Sequence, residues 1–364
     1  MTLRARLLAW YDKAQRDLPW RRTRDPYAIW VSEIMCQQTR VDTVIPYYER
    51  FLKRFPTIAT LAKAPEDDVL ALWSGLGYYR RARLLHKGVR EVVSAYGGAM
   101  PSDASARLGL PGIGRYTAGA IGSIAFHKEE PIVDGNVKRV LSRLFVIDTP
   151  LGRSDTENAF WEKAQHLVRG DRPGDFNQAM MELGATICTP TSPRCDECPV
   201  RRHCRAKKEA RVYELPVVLA KKAPKIVQVV AVIARAVGDD DAAWLQRCDQ
   251  ALFGGLWNLP MMEGEGRDDA QEALRKAGLR GKLSSRKIGD VVHILSHRRM
   301  HVEVWTAVVT KQRGTMTRRY VRHKALKALG VSRLTQKLLA TGAPPSEESC
   351  SCRSRRAHDR AACG

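Results

Sequence analysis

The chain has 364 residues, enough for two domains, and 44% of them are hydrophobic, which supplies a core for each. Its 61 Lys and Arg residues outnumber the 39 Asp and Glu residues and give a formal charge of +22, which indicates a polyanionic partner. The amino-terminal apolar stretch is too short for a secretory signal, and no later apolar run reaches the length of a membrane span. We therefore expect a cytoplasmic monomer that contacts no membrane.

Helix-type patterns dominate residues 1–204, where apolar residues recur every three or four positions. Val69, Leu72, Trp73 and Leu76 form one such group. Few alternating, strand-like patterns interrupt them. We predict an all-α domain over residues 1–204.

The composition changes after this helical region. Residues 205–225 combine charge clusters with prolines, which is typical of a linker between domains. The runs "VQVVAVIA" and "HVEVWTAVVT" are β-rich and lie on either side of one helical segment, so we predict a smaller α+β domain over residues 226–341. Residues 342–364 lack apolar periodicity, and we expect them to be disordered.

A single acidic residue stands within an apolar helical pattern early in the chain. In "IWVSEIMCQQT", Glu33 follows Ile29 and Trp30 by four and three positions, which places its carboxyl on an apolar helical face. Burial there would raise its pKa and keep a proton available near neutral pH. The alternative is an ordinary ion pair with Arg22 or Arg40 at the edge of a helix.

The segment "LGLPGIGRYTAGAIGSIAF", residues 108–126, predicts a tight turn between two helices. Gly112 and Gly114 allow backbone N–H groups to point outward at the start of the second helix, where they can bind a phosphate oxygen. The alternative is a plain connection between helices.

Asp134 ends an apolar stretch and precedes a helical stripe formed by Val137, Val140 and Leu141. This position predicts an N-cap, which is worth about 1 kcal/mol to the helix. Hydrogen bonds from the first N–H groups of the helix would also keep the carboxylate ionised.

Four of the nine cysteines lie within seventeen residues, in a C-x6-C-x2-C-x5-C spacing at Cys188, Cys195, Cys198 and Cys204. A short, turn-rich loop of this kind can close four thiolates around one metal centre. The spacing alone suits tetrahedral zinc and an iron-sulfur cluster equally.

Taken in order along the chain, these features resemble the helix-hairpin-helix DNA glycosylases and, in detail, the MutY family of adenine DNA glycosylases. The resemblance covers roughly residues 8–340. Besides the hairpin and the cysteine spacing, it rests on "LPWR" (18–21), "WVSEIMCQQT" (30–39), "GLGYYRRAR" (75–83), "VDGNVKRVLSR" (133–143) and "FNQAMMELGA" (176–185).

The resemblance implies a base-excision repair enzyme associated with the nucleoid. Such an enzyme extrudes an adenine that faces 8-oxoguanine or guanine in duplex DNA and hydrolyses its glycosidic bond. The resemblance also selects one 4Fe-4S cluster, rather than zinc, as the group that the four cysteines bind.

The family pattern assigns roles to four residues. Glu33 would protonate N7 of adenine, and Asp134 would stabilise the positive charge that develops at C1′. Asn136 would orient the sugar or Asp134. Tyr116 stands where bifunctional relatives such as endonuclease III have a Lys, and because a phenol cannot form an imine, we expect hydrolysis without strand cleavage.

The same pattern predicts the DNA contacts of the helical domain. By resemblance, Trp20 and Arg21 line the pocket for the extruded adenine, and Gln37, Gln38 and Tyr78 wedge into the duplex or fill the gap that the base leaves. Without the resemblance, Tyr78 would be assigned to the core.

Phosphate contacts are expected from Lys138 and from the hairpin glycines, Gly112 and Gly114. In the second domain, "GGLWNLP" (254–260) and "HILSHRRMHVEVW" (293–305) resemble the NUDIX-like 8-oxoguanine reader of this family. Ser296 and His297 would bond the altered edge of that base; the alternative is two loop residues that cap a strand.

Two other functions remain open at this point. An endonuclease III-like glycosylase and AP lyase would need the hairpin Lys and no second domain. A non-enzymatic iron-sulfur DNA-binding module would explain the charge, the hairpin and the cysteines, but it would leave Glu33 and Asp134 without a role.

Overall fold

A computed structural model describes residues 1–220, 223–247, 253–295, 297–310 and 312–341, and of Lys327 only the backbone. The chain divides into two compact units, Met1–Lys222 and Ala223–Gly364. The predicted disordered tail, residues 342–364, and Ser296 lie outside the described residues. None of the helices in the described part of the chain is long and apolar enough to cross a membrane.

The first unit is built from α-helices. In chain order they are α1 (Leu3–Ala14), α2 (Pro26–Cys36), α3 (Val41–Arg54), α4 (Ile58–Lys63), α5 (Glu66–Trp73), α6 (Arg80–Tyr96), α7 (Ala104–Gly109), α8 (Arg115–Ala125), α9 (Gly135–Phe145), α10 (Ser154–Val168), α11 (Pro173–Thr186) and α12 (Arg205–Lys208).

Helix α2 forms the centre of this unit. Asp25 is its N-cap and accepts hydrogen bonds from the backbone N–H groups of Tyr27 and Ala28, and Pro26 occupies the first helical position. All side chains from Tyr27 to Met35 are buried, and α2 packs against α3, α6 and α8. A helix that is buried on every side places any polar residue that it carries inside the protein.

Two glycines allow the helices to approach the start of α9 closely. A Cβ atom at Gly119 of α8 would lie 2.1 Å from the carbonyl oxygen of Pro131, and one at Gly184 of α11 would lie 2.6 Å from Cβ of Asn136. Because both contacts are too short for any side chain, α8 and α11 can only pack here with glycine. The close packing fixes the segment that carries Asp134.

The linker predicted over residues 205–225 is wrong in its first half. Residues Arg205–Lys208 form α12, and Ala206, Val212 and Leu215 are buried in a small cluster of the first unit. Arg143 on α9 also donates to the carbonyl oxygen of Leu215 at 3.0 Å. The charge clusters suggested a linker, but the apolar residues between them pack against the first unit.

In its described residues, the second unit combines two sheets with two α-helices. Its elements are β1 (Lys225–Ala236), β2 (Ala242–Arg247), β3 (Trp257–Asn258), β4 (Met261–Glu263), α13 (Gly266–Lys276), β5 (Gly281–Leu283), β6 (Gly289–Ile294), β7 (Arg298–Val309), β8 (Arg318–Arg322) and α14 (Arg333–Thr341).

One sheet has the order β4-β1-β7-β5, with β6 also paired to β7, and the other has the order β3-β2-β8. Strands β1 and β7 are parallel, with Val229 opposite Val302, and the remaining pairs are antiparallel. Alternate residues of β1 enter two different apolar clusters, one of which includes α13 and the other α14. This α+β unit is smaller than the helical one.

Candidate active site

Glu33 is buried in α2, only 8% exposed, and faces α8. Its Oε2 accepts a hydrogen bond from the hydroxyl of Tyr116. Burial raises the pKa of Glu33 to about 7; the Tyr116 hydrogen bond opposes this rise, and the nearby Asp134 adds to it. The ion pair considered as an alternative does not form with Arg22, because Arg22 binds Asp17. Glu33 can therefore hold a proton near neutral pH.

Tyr116 lies in the first turn of α8, directly after the hairpin glycines. Its hydroxyl also approaches Sδ of Met181 at 3.7 Å. Burial, together with the charges of Glu33 and Asp134, raises the pKa of Tyr116 well above its ordinary value. The phenol thus stays neutral and serves as a hydrogen-bond donor to Glu33.

Asp134 caps α9, as its position in the sequence predicts. Its Oδ1 accepts from the backbone N–H of Val137 at 2.7 Å, and its Oδ2 accepts from Nδ2 of Asn136 at 3.1 Å. Burial nevertheless outweighs these hydrogen bonds, so the pKa of Asp134 lies above its ordinary value. The hydrogen bonds favour the ionised carboxylate, as expected, but they only partly offset its burial.

Asn136 connects Asp134 to the cysteine loop through Arg139. The Nη2 atom of Arg139 donates to Oδ1 of Asn136 at 2.8 Å and to the carbonyl oxygen of Gly184 at 2.7 Å. Its Nε donates to the carbonyl oxygen of Cys188 at 2.7 Å. Because Arg139 binds Oδ1 of Asn136, the amide turns its Nδ2 towards Asp134.

Glu182 on α11 is a site residue that the sequence did not reveal. Its side chain is fully buried, and its oxygens accept from Nε of Arg16 at 2.8 Å and from Nη2 of Arg21 at 2.7 Å. Arg21 also stacks over the ring of Tyr11, with 5.4 Å between the guanidinium and the ring centroid. Arg21, predicted to line the adenine pocket, is therefore held by Glu182, and its charge acts on Glu33 to lower that residue's pKa.

The hairpin has the predicted form, with α7 and α8 joined by a turn in which Leu110 and Ile113 are buried. Gly112 has a φ of 81°, and Gly114 precedes α8 as its N-cap. Lys138 is paired with Glu157 at 2.6 Å, so a phosphate would have to compete with this carboxylate.

The predicted wedge and gap residues lie beyond the C-terminal end of α2 and before α6. Tyr78 is 47% exposed, which contradicts a core assignment, and Gln38 is also exposed. The side chain of Gln37 points towards Thr117 at the start of α8, with 3.4 Å between Nε2 and Oγ1. Trp20 is buried instead, and its ring packs edge-on against Tyr48 at 5.3 Å.

The cysteine loop brings its four thiols to one pocket of the first unit. The pocket is lined by Cys188, Cys195, Cys198 and Cys204. Arg143 donates to Sγ of Cys188 at 3.3 Å, and the backbone N–H groups of Val200 and Lys207 face Cys198 and Cys204. Within the described ranges, no three His, Cys, Asp or Glu side chains are grouped closely enough for a single metal ion.

In the second unit, His297 is exposed in the loop between β6 and β7, where the backbone N–H of Leu295 donates to the carbonyl oxygen of Arg298 at 2.8 Å. The carbonyl oxygen of His297 accepts from the backbone N–H of Lys225 at 3.2 Å. The loop is thus tied to the start of β1.

Comparison with known proteins decides the family. Residues 31–166 match the HhH-GPD superfamily of base excision DNA repair proteins, and residues 229–341 match the NUDIX domain. The adenine DNA glycosylase of Mus musculus is 38% identical over 359 residues, which is 83% of this chain and 70% of the mouse protein. The chain belongs to the adenine DNA glycosylase family. It is thus an enzyme of base excision repair that removes adenine from DNA.

A bacterial adenine DNA glycosylase gives the same result. The enzyme of Buchnera aphidicola subsp. Schizaphis graminum is 35% identical over 298 residues, which covers 81% of this chain and 84% of that protein. Among solved structures, a thermostable thymine-DNA glycosylase superimposes with a TM-score of 0.51 at 33% identity, over 57% of this chain and 95% of that one. The helical fold therefore also occurs in a glycosylase named for another base.

Proposed function

We propose that this adenine DNA glycosylase removes adenine that faces 8-oxoguanine or guanine in duplex DNA, by hydrolysis and without cutting the strand. The observation that carries the proposal is the pairing of a buried acid, Glu33, whose pKa is raised to about 7, with a second carboxyl, Asp134, at the N-terminus of α9. One group serves as the acid, and the other serves as the anion that the reaction needs.

The first step is proton transfer from Glu33. Because Oε2 of Glu33 accepts the Tyr116 hydrogen bond, the proton of the neutral carboxyl is available on Oε1. Protonation of a ring nitrogen turns adenine into a neutral leaving group, which weakens its bond to the sugar. N7 is the nitrogen that the family pattern assigns to this step.

The second role belongs to Asp134. As the glycosidic bond breaks, C1′ gains positive charge, and an ionised carboxylate close to it stabilises that charge or attacks the carbon briefly before water does. The bonds from Val137 and Asn136 fix the direction of the Asp134 oxygens. Asp134 must be ionised for this step, while Glu33 must be protonated.

The absence of strand cleavage follows from Tyr116. A lyase needs an amine that attacks C1′ and forms a Schiff base, and the phenol at this position is engaged with Glu33. Borohydride reduction during the reaction should therefore trap no covalent protein–DNA adduct. Abundant trapping would favour the endonuclease III-like alternative.

We also propose that Cys188, Cys195, Cys198 and Cys204 bind one 4Fe-4S cluster. The donor set supports a negatively charged, thiolate-bound group, because Arg143 and backbone N–H groups point at the sulfurs. When bound, such a cluster would fix the loop and its basic residues close to phosphate. A brown protein with visible absorbance and stoichiometric iron is expected, whereas colourless protein with bound zinc would refute the cluster.

Recognition of the facing base is proposed for the second unit, where the exposed His297, together with Ser296, would bond 8-oxoguanine. The test of the whole function is a panel of duplexes with adenine facing 8-oxoguanine, guanine, thymine or cytosine, and with an oxidised thymine facing adenine. We expect free adenine from the first two duplexes and little from the others. Release of the oxidised thymine instead, or wild-type excision by both Asp134→Asn and Glu33→Gln, would contradict the proposal.

A further inference from the structure

One arginine, Arg81 in the first turn of α6, contacts two separate turns that carry the predicted wedge and gap residues. The first turn, Gln37–Thr39, follows α2, and the second, Gly75–Tyr79, precedes α6. The turns carry Gln37, Gln38 and Tyr78, which the family resemblance places in the duplex, and their role there rests on the proposed function. What remains to be explained is how two turns nearly forty positions apart are held together.

Arg81 first caps the helix that carries Glu33. Its Nη1 donates to the carbonyl oxygens of Ile34 at 2.7 Å and Met35 at 3.0 Å, in the last turn of α2. Carbonyls in the last turn of a helix have no partner within the helix, so a guanidinium is well suited to bind them. Arg81 thereby fixes the end of α2, one or two residues beyond Glu33.

The same guanidinium then reaches both turns. Nη1 also donates to the carbonyl oxygen of Gln37, and Nη2 donates to Oγ1 of Thr39 at 3.1 Å and to the carbonyl oxygen of Gly77 at 3.2 Å. It lies 5.4 Å from the ring centroid of Tyr78. The planar, forked donors of arginine allow these simultaneous contacts, which a lysine cannot make.

Backbone conformation shows that both turns are held in unfavourable states. Gln38 has a φ of 58° and Tyr78 a φ of 49°, and left-handed conformations of this kind are uncommon for residues other than glycine. Such conformations persist only where surrounding contacts enforce them, and they concentrate at functional sites. Arg81 bonds to the residue before Gln38 and to the residue before Tyr78.

We propose that Arg81 is a positioning residue that locks the Gln37–Thr39 and Gly75–Tyr79 turns to each other and to the end of α2, so that they enter the duplex together when adenine is extruded. Arg81 itself takes no part in bond cleavage. Its loss should slow extrusion and leave the proton transfer from Glu33 unchanged.

The experiment compares wild type, Arg81→Gln and Arg81→Lys on a duplex with adenine facing 8-oxoguanine and 2-aminopurine beside the adenine. Fluorescence of 2-aminopurine reports unstacking, and single-turnover release of adenine reports excision. We expect Arg81→Gln to reduce the rates of both by about ten- to a hundredfold, with Arg81→Lys in between. The pH at which excision falls on the alkaline side should not move.

Arg90→Gln is the matched control, because Arg90 lies on the same helix and also donates to backbone carbonyls, those of Ala62 and Ala64. It should lower thermal stability but keep wild-type unstacking and excision at temperatures well below its Tm. Wild-type unstacking in the Arg81 variants, a shifted alkaline limb or unchanged excision would each overturn the inference. Failure of the wild-type protein to release adenine would instead refute the proposed function.

Discussion

Two buried glutamates in the helical unit have pKa values shifted in opposite directions, although both are withdrawn from water. Glu33 on α2 accepts a hydrogen bond from a neutral phenol, and burial raises its pKa to about 7. Glu182 on α11 is fully buried as well, but the hydrogen bonds and charges of Arg16 and Arg21 outweigh its burial and leave its pKa below the ordinary value. The partner, not the depth of burial, decides which carboxyl keeps a proton.

Arg21 influences both glutamates. It is nearly buried, and its guanidinium is bound to Glu182 rather than to Glu33. If Arg21 paired with Glu33 instead, a carboxylate would form there, and no proton would be available for the base. Glu182 therefore serves the chemistry indirectly, because it binds the cation that would otherwise ionise the acid.

The largest expected effect is the loss of catalysis when Glu33 is replaced. Glu33→Gln keeps the shape and can still accept from Tyr116, but it has no acidic proton, so single-turnover excision should fall by about a thousandfold. Stability should not fall. Wild-type Glu33 has a raised folded-state pKa, so the wild type loses stability as pH rises from its ordinary pKa of 4.5 to about 7, and Gln removes this loss.

Urea unfolding at pH 5 and pH 8 checks the stability part of this prediction. The difference between the two pH values should be smaller in Glu33→Gln than in wild type. Retained excision, or a variant that is much less stable at pH 8, would show that Glu33 is an ordinary structural carboxyl.

The second glutamate affects stability. Glu182→Gln should lower the free energy of unfolding by about 3 kcal/mol at pH 7, because it leaves the buried guanidinium of Arg21 without its counter-charge. The folded-state pKa of Glu182 is lowered, so this stabilisation is present above the pKa of the unfolded chain and is lost as pH falls through the folded-state value. Urea unfolding between pH 3 and pH 8 measures both effects.

Asp17→Asn is the control for that measurement. It also removes a carboxylate from an Arg–carboxylate pair, but Arg22 and Asp17 are 65% and 73% exposed, so little or no change in the free energy of unfolding is expected. Equal losses in the two variants would mean that burial does not distinguish them.

The sequence predicts one of these glutamates and not the other, for a physical reason. The burial of Glu33 and the capping role of Asp134 depend on neighbours three or four positions away, which helical periodicity reveals. Glu182 depends on Arg16 and Arg21, more than 160 positions distant, and Arg81 reaches carbonyls 44 to 47 positions away. No local pattern reports such contacts.

The sequence likewise predicts some features of the fold and misses others. The helical region, the hairpin and the α+β region follow from the pattern of apolar residues, and both the fold class and the family are confirmed. The predicted linker begins too close to the N-terminus, because the charged residues in 205–225 outnumber the apolar residues Ala206, Val212 and Leu215, which pack in the first unit. The net effect of burial and hydrogen bonds on Asp134 also needed the structure, since two opposing contributions cannot be ranked from composition.

A smaller effect is expected when the hydrogen bond from Tyr116 to Glu33 is removed. The Tyr116 hydrogen bond lowers the pKa of Glu33 relative to burial alone, so Tyr116→Phe should raise that pKa further. Since excision needs protonated Glu33, the alkaline limb of the pH–rate profile should move to higher pH. A limb that moves down, or stays in place, would mean that another group controls it.

The smallest effect concerns Asn136, one of several donors to Asp134. Asn136→Ala removes the 3.1 Å bond to Oδ2 but leaves the Val137 N–H in place, so excision at neutral pH should fall by about tenfold or less. Because the Asn136 bond lowers the pKa of Asp134, its loss should move the acidic limb of the pH–rate profile to higher pH. Tyr116→Phe, in contrast, should move the alkaline limb. Asn158→Ala, an exposed asparagine on α10, should leave both limbs unchanged. If Asn136→Ala moved the alkaline limb instead, the two carboxyls would titrate as one coupled pair, and the separate roles of acid and anion would have to be abandoned.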